Sequence, residues 1–572
     1  MIKTADKLRK IEYSHNDMTK DIYSKIQTIV LNHIIRQYGA NPSYAVEIHS
    51  SLKFLLQNTY ELYDFPQTLE PIKYSIHNGE NLLDSLSKIN EKESRRKNEG
   101  VYYTDNDVTD YMVLNSFYHF LNPAKCAVLD GKIIKTEFKK INAVNVKKIL
   151  LSSVFDPTCG AGAFLISALT LKIQLYKDCG GCGVNIVDFI STIKGNDIES
   201  VSTDITKLRL FFLLLDSFEE KLDVETIAKI ICSGFYNVDV VDYKGNVFGK
   251  YDIVIGNPPY IEYGKYKGTI SNDFGNVYAD VMKNVVTMLN SNGVLAFVVP
   301  LSYISTARMC SIRNYVYSET GKQLLLNFAD RPDCLFSGVH QKLTIVLAQK
   351  TNEAFGVYTS RYTHWYKSER RKLFKNIPLA KISIIDNRYW PKLGDKIGET
   401  IFKKIQSYDG VDIFSLNNGN DKGSIYINQR ACFWMKVFSR DMNSNSYKEY
   451  HIDKEKLPFV MCLLNSSLFF MLWSIISDGW HITNKEISFI RIPNRIPVSK
   501  RWSTLISKLE KRLESTKEYV GTKQVDYEYK HKLCKDIIDE IDDELKSVYK
   551  LSAPEVNYIK KFNEKYRVGD GA

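Results

Sequence analysis

Four consecutive residues carry chemistry most directly: Asn257, Pro258, Pro259 and Tyr260. They follow YDIVIG, an apolar run whose length and β-branched content predict a buried strand. In open α/β sheets ligands sit beyond the carboxyl ends of the strands, which is where this quartet falls. Two prolines in a row fix φ and remove two N–H donors, so the turn is stiff and its carbonyls stay free to accept. The Asn257 side-chain oxygen and the Pro258 carbonyl can then both accept from a single amine, while Tyr260 offers an aromatic face to a planar base. A proline turn that merely ends a strand has the same composition, so the quartet alone does not identify a reaction.

Further clusters suggest what accompanies that amine. DPTCGAGAFL, from Asp156 through Cys159, Gly160 and Gly162 to Leu165, lies where a strand turns into a helix. Its glycines allow a tight turn and close approach to a ligand. Phe164 or Leu165 occupies the third glycine position of the dinucleotide fingerprint, which argues against a nicotinamide cofactor. Asp197, in GNDIE, ends a second strand where a carboxylate accepts from ribose hydroxyls. It is further from the first turn than the usual ~20 residues, because the intervening helix is long and DCGGCG is inserted. Asp239, in NVDVV, ends a third predicted strand and is placed to accept from the adenine amine of a nucleoside cofactor, with Asp242 close by. Each of these carboxylates, taken alone, also reads as a solvated strand end.

The elements that must position these residues are legible as alternation. SVFD (153–156), IKGND (193–197), NVDVV (237–241), YDIVIGN (251–257) and GVLAFVVP (293–300) read as strands, with helical runs such as FLISALTLKIQLY and DVMKNVVTML between them. This βαβ order predicts a mostly parallel sheet with helices on both faces. LLLNFAD and KLTIVLAQK are separated by too few residues for a helical crossover, so they predict an antiparallel pair and a reversed edge strand. Residues 1–95 show helical periodicity in IYSKIQTIVLNHIIRQY and LKFLLQNTYELY, closing on the charged run KINEKESRRKNEG. Residues 355–500 are aromatic, basic and irregular, and 501–572 are charged and helical. The reading is thus a helical region over 1–95, an α/β domain over 96–354, an α+β domain over 355–500 and a helical region over 501–572.

Composition bounds the rest. The 572 residues exceed one ordinary core, and the net charge of +11 permits a polyanionic partner without demanding one. Of ten cysteines only Cys179 and Cys182 make a CxxC pair, with no second pair at metal-ligand spacing, so neither a structural zinc nor any other metal is expected. DCGGCG reads as a surface loop in a reducing compartment. MIKTADKLRK lacks the apolar core of a signal peptide. Leu457 to Ser477 carries no charge and is long enough to span a bilayer, but Pro458, Asn465, Ser466, Ser467 and Ser474 favour a buried helix hairpin or helix–strand unit. A soluble cytoplasmic protein is expected.

Taken in order, DPTCGAGAFL, GNDIE, NVDVV and GNPPY resemble the γ-class of S-adenosylmethionine-dependent DNA adenine-N6 methyltransferases of restriction–modification systems. GVYYTDNDVTDYM (100–112) resembles that family's N-terminal cofactor motif, with Asp105 where proline is usual. NVYADVMKNVVTMLNSNGVLAFVVPLSYI (276–304) and LFSGVHQKLTIVL (335–347) resemble later motifs, so the resemblance covers residues 100–350. It implies the class I Rossmann-like methyltransferase fold and S-adenosylmethionine as cofactor. Tyr103 and Thr104 would lie at its carboxylate, Asp156, Cys159, Gly160 and Gly162 along its methionine part, Asp197 and Ile198 at its ribose, and Asp239 and Val240 at its adenine. Asn257 and Pro258 would hold the target amine, with Pro259 stiffening the turn and Tyr260 and Phe336 sandwiching a flipped adenine.

Residues 355–500 look like a target-recognition domain, through WPKLGDKI (390–397), SIYINQRACFWMKVF (424–438) and LLNSSLFFMLWSIISDGWHITNKEI (463–487). Arg430, Lys436, His481 and Lys485 are its candidate contacts to phosphates or base edges of double-stranded DNA. No nuclease constellation of paired acidic residues and a lysine appears in 1–95, which favours a bacterial modification enzyme, monomeric, with any endonuclease as a separate chain. The competing readings are methyltransferases acting on ribosomal RNA or on protein glutamine, and a catalytically silent DNA-specificity protein. The aromatic, basic C-terminal third disfavours the first two, and intact Asp197, Asp239 and Asn257 disfavour the last.

Overall fold

A computed structural model describes residues 2–56, 82–91, 104–242, 248–265, 274–383, 386–416, 419, 421–496, 499–522 and 526–569. The chain divides into two compact units. The first comprises Met1–Val299, Asn314–Gln323 and Ile345–Phe355; the second comprises Pro300–Arg313, Leu324–Thr344 and Gly356–Ala572.

Strands β1 (Val154–Asp156), β2 (Ile193–Asn196), β3 (Phe235–Tyr236), β4 (Tyr251–Gly256) and β5 (Leu289–Pro300) build the first unit's sheet. They are joined by β6 (Gly321–Phe328) and β7 (Leu343–Lys350), and the order runs β3-β2-β1-β4-β5-β7-β6. β1 pairs parallel with β2 and β4, β2 with β3, and β4 with β5. No helix separates β6 from β7, and β7 is inserted between β5 and β6. β1 and the end of β4 are buried on both faces, which explains why they read as continuous apolar runs instead of alternating ones. The long parallel connections are helical: α5 (Ala163–Asp178) follows β1, α6 (Ser200–Ser217) follows β2 and α8 (Val277–Val286) follows β4, with α7 (Val224–Ser233) before β3. This α/β arrangement is the expected Rossmann-like one.

Two local expectations fail. NVDVV is not a strand: β3 ends at Tyr236 and Asn237–Val241 bends away. The Asn237 amide donates to the Asp197 carbonyl (3.0 Å) and the Asp239 carboxylate accepts from the Val241 N–H (2.9 Å), so side chains take the place of a ladder. In DCGGCG the two cysteines form a disulfide, with Cα atoms 5.7 Å apart, where free thiols were expected.

The N-terminal helices α1 (Ile2–Tyr38), α2 (Pro42–Leu55) and α3 (Leu82–Glu91) pack within the first unit. Tyr23 donates to Asp204 on α6 (2.5 Å), and Asp204 is also held by Lys207 (2.6 Å) in a fully buried pair. His33 and Tyr38 both engage Asp216 at the end of α6. α4 (Asn106–Leu121) packs against α5 and carries Thr104 just before it.

In the second unit β8 (Gly356–Thr363) and β9 (Ala380–Ile382) pair antiparallel, and β10 (Lys422–Asn428) sits between β11 (Val437–Phe438) and β12 (Tyr447–Asp453). The uncharged stretch forms two helices, α9 (Leu457–Asn465) and α10 (Ser467–Ile476), bent by 60° at Ser466. Among the described residues no single helix is long and apolar enough to cross a membrane. Both helices are buried, and the polar residues inside them are bonded. Asn465 donates to the Val437 and Met461 carbonyls (3.0 Å each) and accepts from the Val437 N–H (3.2 Å). Asp542, on α11 (Lys535–Val548), accepts from the first N–H groups of α10 at 3.2 and 3.1 Å. Arg567 donates to Ser467 (3.1 Å) and lies over the rings of Trp434 and Phe470, 4.2 and 4.4 Å from their centroids.

Replacing Asn465 by alanine orphans buried backbone groups at ~1–3 kcal/mol each. The expected result is a lower urea midpoint for the second unit, and an unchanged midpoint would show that Asn465 does not hold α9 against β11.

Candidate active site

The site forms where β1, β2 and β4 end. Gly256 closes β4, and a Cβ placed there would lie 2.7 Å from Oδ1 of Asp156, so only glycine lets the Asn257 turn come this near the β1 terminus. Asp156 is buried and accepts from the Thr158 N–H (3.1 Å); burial, with Asp197 nearby, pushes its carboxyl well above the usual range. The following loop is pinned by α6, where Thr206 donates to the Gly160 carbonyl (2.8 Å) and Arg209 donates to that of Ala161. Cys159 is buried and its thiol is pushed well up, chiefly by that burial, which makes it a packing residue and a poor nucleophile.

Asp197 meets this loop directly. Its carboxylate accepts from the Gly160 N–H (2.8 Å) and the Glu199 N–H (3.0 Å). Burial raises it to about 6 although these two bonds pull the other way. Ile198 beside it is 64% exposed and presents an alkyl surface. Asn196, which sequence reasoning passed over in favour of its neighbour, ties the three strand ends together. Its amide donates to the Pro157 carbonyl (2.9 Å) and the Val238 carbonyl (3.0 Å) and accepts from the Val238 N–H (3.1 Å). Val240 is buried, and its carbonyl accepts from Asn284 on α8 (2.9 Å), which fixes the bend that carries Asp239.

The quartet Asn257–Tyr260 is held from two sides. The Asn257 amide nitrogen donates to the Thr104 hydroxyl (3.2 Å), and the Tyr260 hydroxyl lies 2.5 Å from the Asn257 amide oxygen and 3.1 Å from the Val298 carbonyl. These contacts set which way the amide points: its nitrogen faces Thr104 and its oxygen faces Tyr260. Thr104, expected at a cofactor carboxylate, accepts from Asn257 and as an acceptor retains its own hydrogen to donate. The Tyr260 ring stands edge-on to Tyr278 at 6.4 Å. Among the described residues none donates to the Pro258 carbonyl.

Other expected site residues fall elsewhere. Tyr103 lies outside the described residues. Phe336 belongs to the second unit and is fully buried, so its ring has no open face. Lys485 turns inward, donating to the carbonyls of Ser305 (2.8 Å) and Ile476 (3.1 Å) and pairing with Glu486 (2.9 Å), because the α10 carboxyl end leaves acceptors there. Lys436 is half-buried, and burial lowers its ammonium. His481 is exposed and paired with Asp478 (2.7 Å), which raises its imidazole, and Arg430 is exposed.

Residues 191–334 match the family model described as Eco57I restriction-modification methylase. A type II restriction enzyme and methyltransferase of Methanocaldococcus jannaschii is 24% identical over 222 residues, 32% of this chain and 18% of its own length, so the chain spans under a fifth of that curated relative. Among solved structures, the type IIL restriction-modification enzyme MmeI in complex with DNA gives a TM-score of 0.48 at 15% identity, covering 85% of this chain and 81% of that one. The type IIG restriction endonuclease BpuSI gives 0.40 at 13% identity, covering 85% and 68%. The matched segment implies S-adenosylmethionine as the cofactor, and the residues present fit it. Asp197 is an anionic acceptor at a strand end, the Gly160 loop leaves backbone exposed for close approach, and Ile198 supplies apolar surface.

The Asp197 carboxyl makes the site pH-sensitive. Its folded value is raised to about 6, so the free protein binds the extra proton between about pH 4 and 6 and this group's contribution to stability falls as pH rises through that window. If Asp197 accepts ribose hydroxyls of the cofactor, as expected from the sequence, binding needs its ionised form and cofactor affinity carries the opposite sign. Calorimetric titration with S-adenosylmethionine should weaken as pH drops through 6, and Asp197→Asn should flatten the profile; a wild-type profile already flat would remove Asp197 from the ribose.

Proposed function

We propose that this chain, whose residues 191–334 are a methylase segment of restriction–modification type, methylates the N6 amine of an adenine turned out of double-stranded DNA. The observation that carries the reading is the Asn257 amide, oriented by Thr104 and Tyr260 beside a Pro258 carbonyl to which no described residue donates, at the same strand ends as Asp197.

The amine of adenine is a poor nucleophile, since its lone pair is delocalised into the ring. Bound S-adenosylmethionine supplies an electrophilic methyl group and no acid or base. What remains for the protein is to orient the amine. The Asn257 oxygen and the Pro258 carbonyl each accept one amine hydrogen, drawing both out of the ring plane and returning the lone pair to nitrogen. The same two acceptors stabilise the positive charge that develops there, and the stiff turn fixes its direction. Pro259 contributes that stiffness, while Asp239 and Val240 line the adenine side of the cofactor. Turning the base out of the duplex costs a few kcal/mol, which stacking on Tyr260 offsets by about 1–3 kcal/mol. Arg430 and His481 are the second unit's candidate contacts to DNA, with Lys436 behind them; Lys485 is withdrawn from that role.

Incubation with labelled S-adenosylmethionine and unmethylated bacterial DNA, followed by nucleoside mass spectrometry, is expected to give N6-methyladenine. Asn257→Ala should abolish transfer and leave cofactor affinity nearly intact. Label appearing only in RNA or protein would overturn the reading. Tyr260→Phe and Tyr260→Ala separate two roles of one residue. The phenylalanine variant keeps the stacking face and loses the bond to Asn257, so it should lower kcat with base extrusion preserved, as judged by 2-aminopurine fluorescence. The alanine variant should lose both.

A further inference from the structure

Trp480 follows α10 in the second unit, half-buried, and three cations gather on its ring. The Lys342 ammonium lies 4.9 Å from the centroid, the Arg331 guanidinium 5.6 Å and the Arg430 guanidinium 5.9 Å. The carboxylates within this cluster are already engaged: Asp330 pairs with Lys342 (3.1 Å), and Asp478 accepts from the His481 ring (2.7 Å) and from the N–H groups of Trp480 (2.9 Å) and His481 (2.8 Å). Arg331 and Arg430 are both exposed, and neither forms an ion pair with any described carboxylate.

This differs from other arginines on the same unit. Arg388, Arg440, Arg501 and Arg512 each pair with an acidic side chain. The backbone also holds the cluster in register, because Ala431 N–H donates to the Trp480 carbonyl (2.9 Å) and Ile482 N–H to that of Gln429 (2.9 Å), placing Arg430 opposite His481. The indole orients the guanidinium groups by cation–π attraction, worth ~0.5–1 kcal/mol each at exposed sites, but leaves their charge uncompensated. Two guanidinium groups held on one indole without a described carboxylate partner carry the donor chemistry that binds phosphate oxygens.

We infer that Arg331 and Arg430, arrayed on Trp480 beside the Asp330-paired Lys342, bind backbone phosphates of duplex DNA. The inference rests on the functional reading above and names where the second unit grips the phosphodiester chain. Its contacts are to the backbone, so they fix position without reading sequence.

The test is the salt dependence of affinity for a fluorescent duplex of unmethylated DNA, using the full chain. Each phosphate contact contributes about −0.9 to the slope of log K against log salt. Arg331→Ala/Arg430→Ala should weaken binding about tenfold or more and make the slope shallower by roughly 2, uniformly across duplex sequences. Arg331→Lys/Arg430→Lys keeps the charges and should restore most of the slope. Cofactor affinity and melting temperature should match wild type in both variants, which separates loss of contact from loss of fold. The single Arg430→Ala variant, with an expected slope change of about 1, serves if the double variant does not fold. If wild type methylates DNA while the alanine variants leave the slope unchanged, the cluster is overturned and the functional reading stands. If wild type neither binds nor methylates DNA, the functional reading falls and the cluster with it.

Discussion

The buried side-chain amide of Asn196 holds three strand ends in one place. It is 1% exposed, and it bonds the turn after β1 and both polar groups of Val238 after β3 from its own position at the end of β2. Strand ends in a parallel sheet have no partners beyond the ladder, so their backbone groups need side chains or ligands to satisfy them. By meeting three of those groups, Asn196 sets the separation between the Gly160 loop, Asp197 and the Asp239 bend. The placement of three candidate cofactor-facing segments thus follows from one residue that need touch no cofactor.

A second constraint acts at the neighbouring strand. Gly256 leaves just enough space for Asp156, and the quartet beyond it inherits its position from that contact. The orientation of Asn257 then comes from Thr104, which precedes α4, and from Tyr260 within its own turn. Oriented acceptors and a raised carboxyl are both costs to the free protein, tolerated because the surrounding sheet over-determines them.

Much of this was legible in the sequence, because β1, β2, β4 and β5 are apolar runs and their carboxyl ends carry glycine, proline and acidic residues in a fixed order. What was not legible has physical reasons. NVDVV has strand composition, yet Asn237 and Asp239 satisfy the backbone locally and end β3 early. Asn196 looked subordinate to Asp197, since an amide at a strand end carries no charge to draw notice; the signal available was its place inside GND, immediately before the acidic residue. Lys485 looked like a surface charge, but only the fold reveals the carbonyls that hold it. The grouping of Arg331 with Trp480 spans about 150 positions, which no local pattern conveys.

The bent pair α9 and α10 has a consequence for how the chain is made. Their polar cover comes from Asp542 and Arg567, which lie 65 and 90 residues after Ser477 (542 − 477 and 567 − 477). At ordinary rates of synthesis the most apolar segment is made roughly 5–20 s before Arg567 is added. During that interval β8, β10 and β11 are already made but Asp542 and Arg567 are not, so the first turn of α10 stays uncapped for a time set by translation speed across residues 478–567.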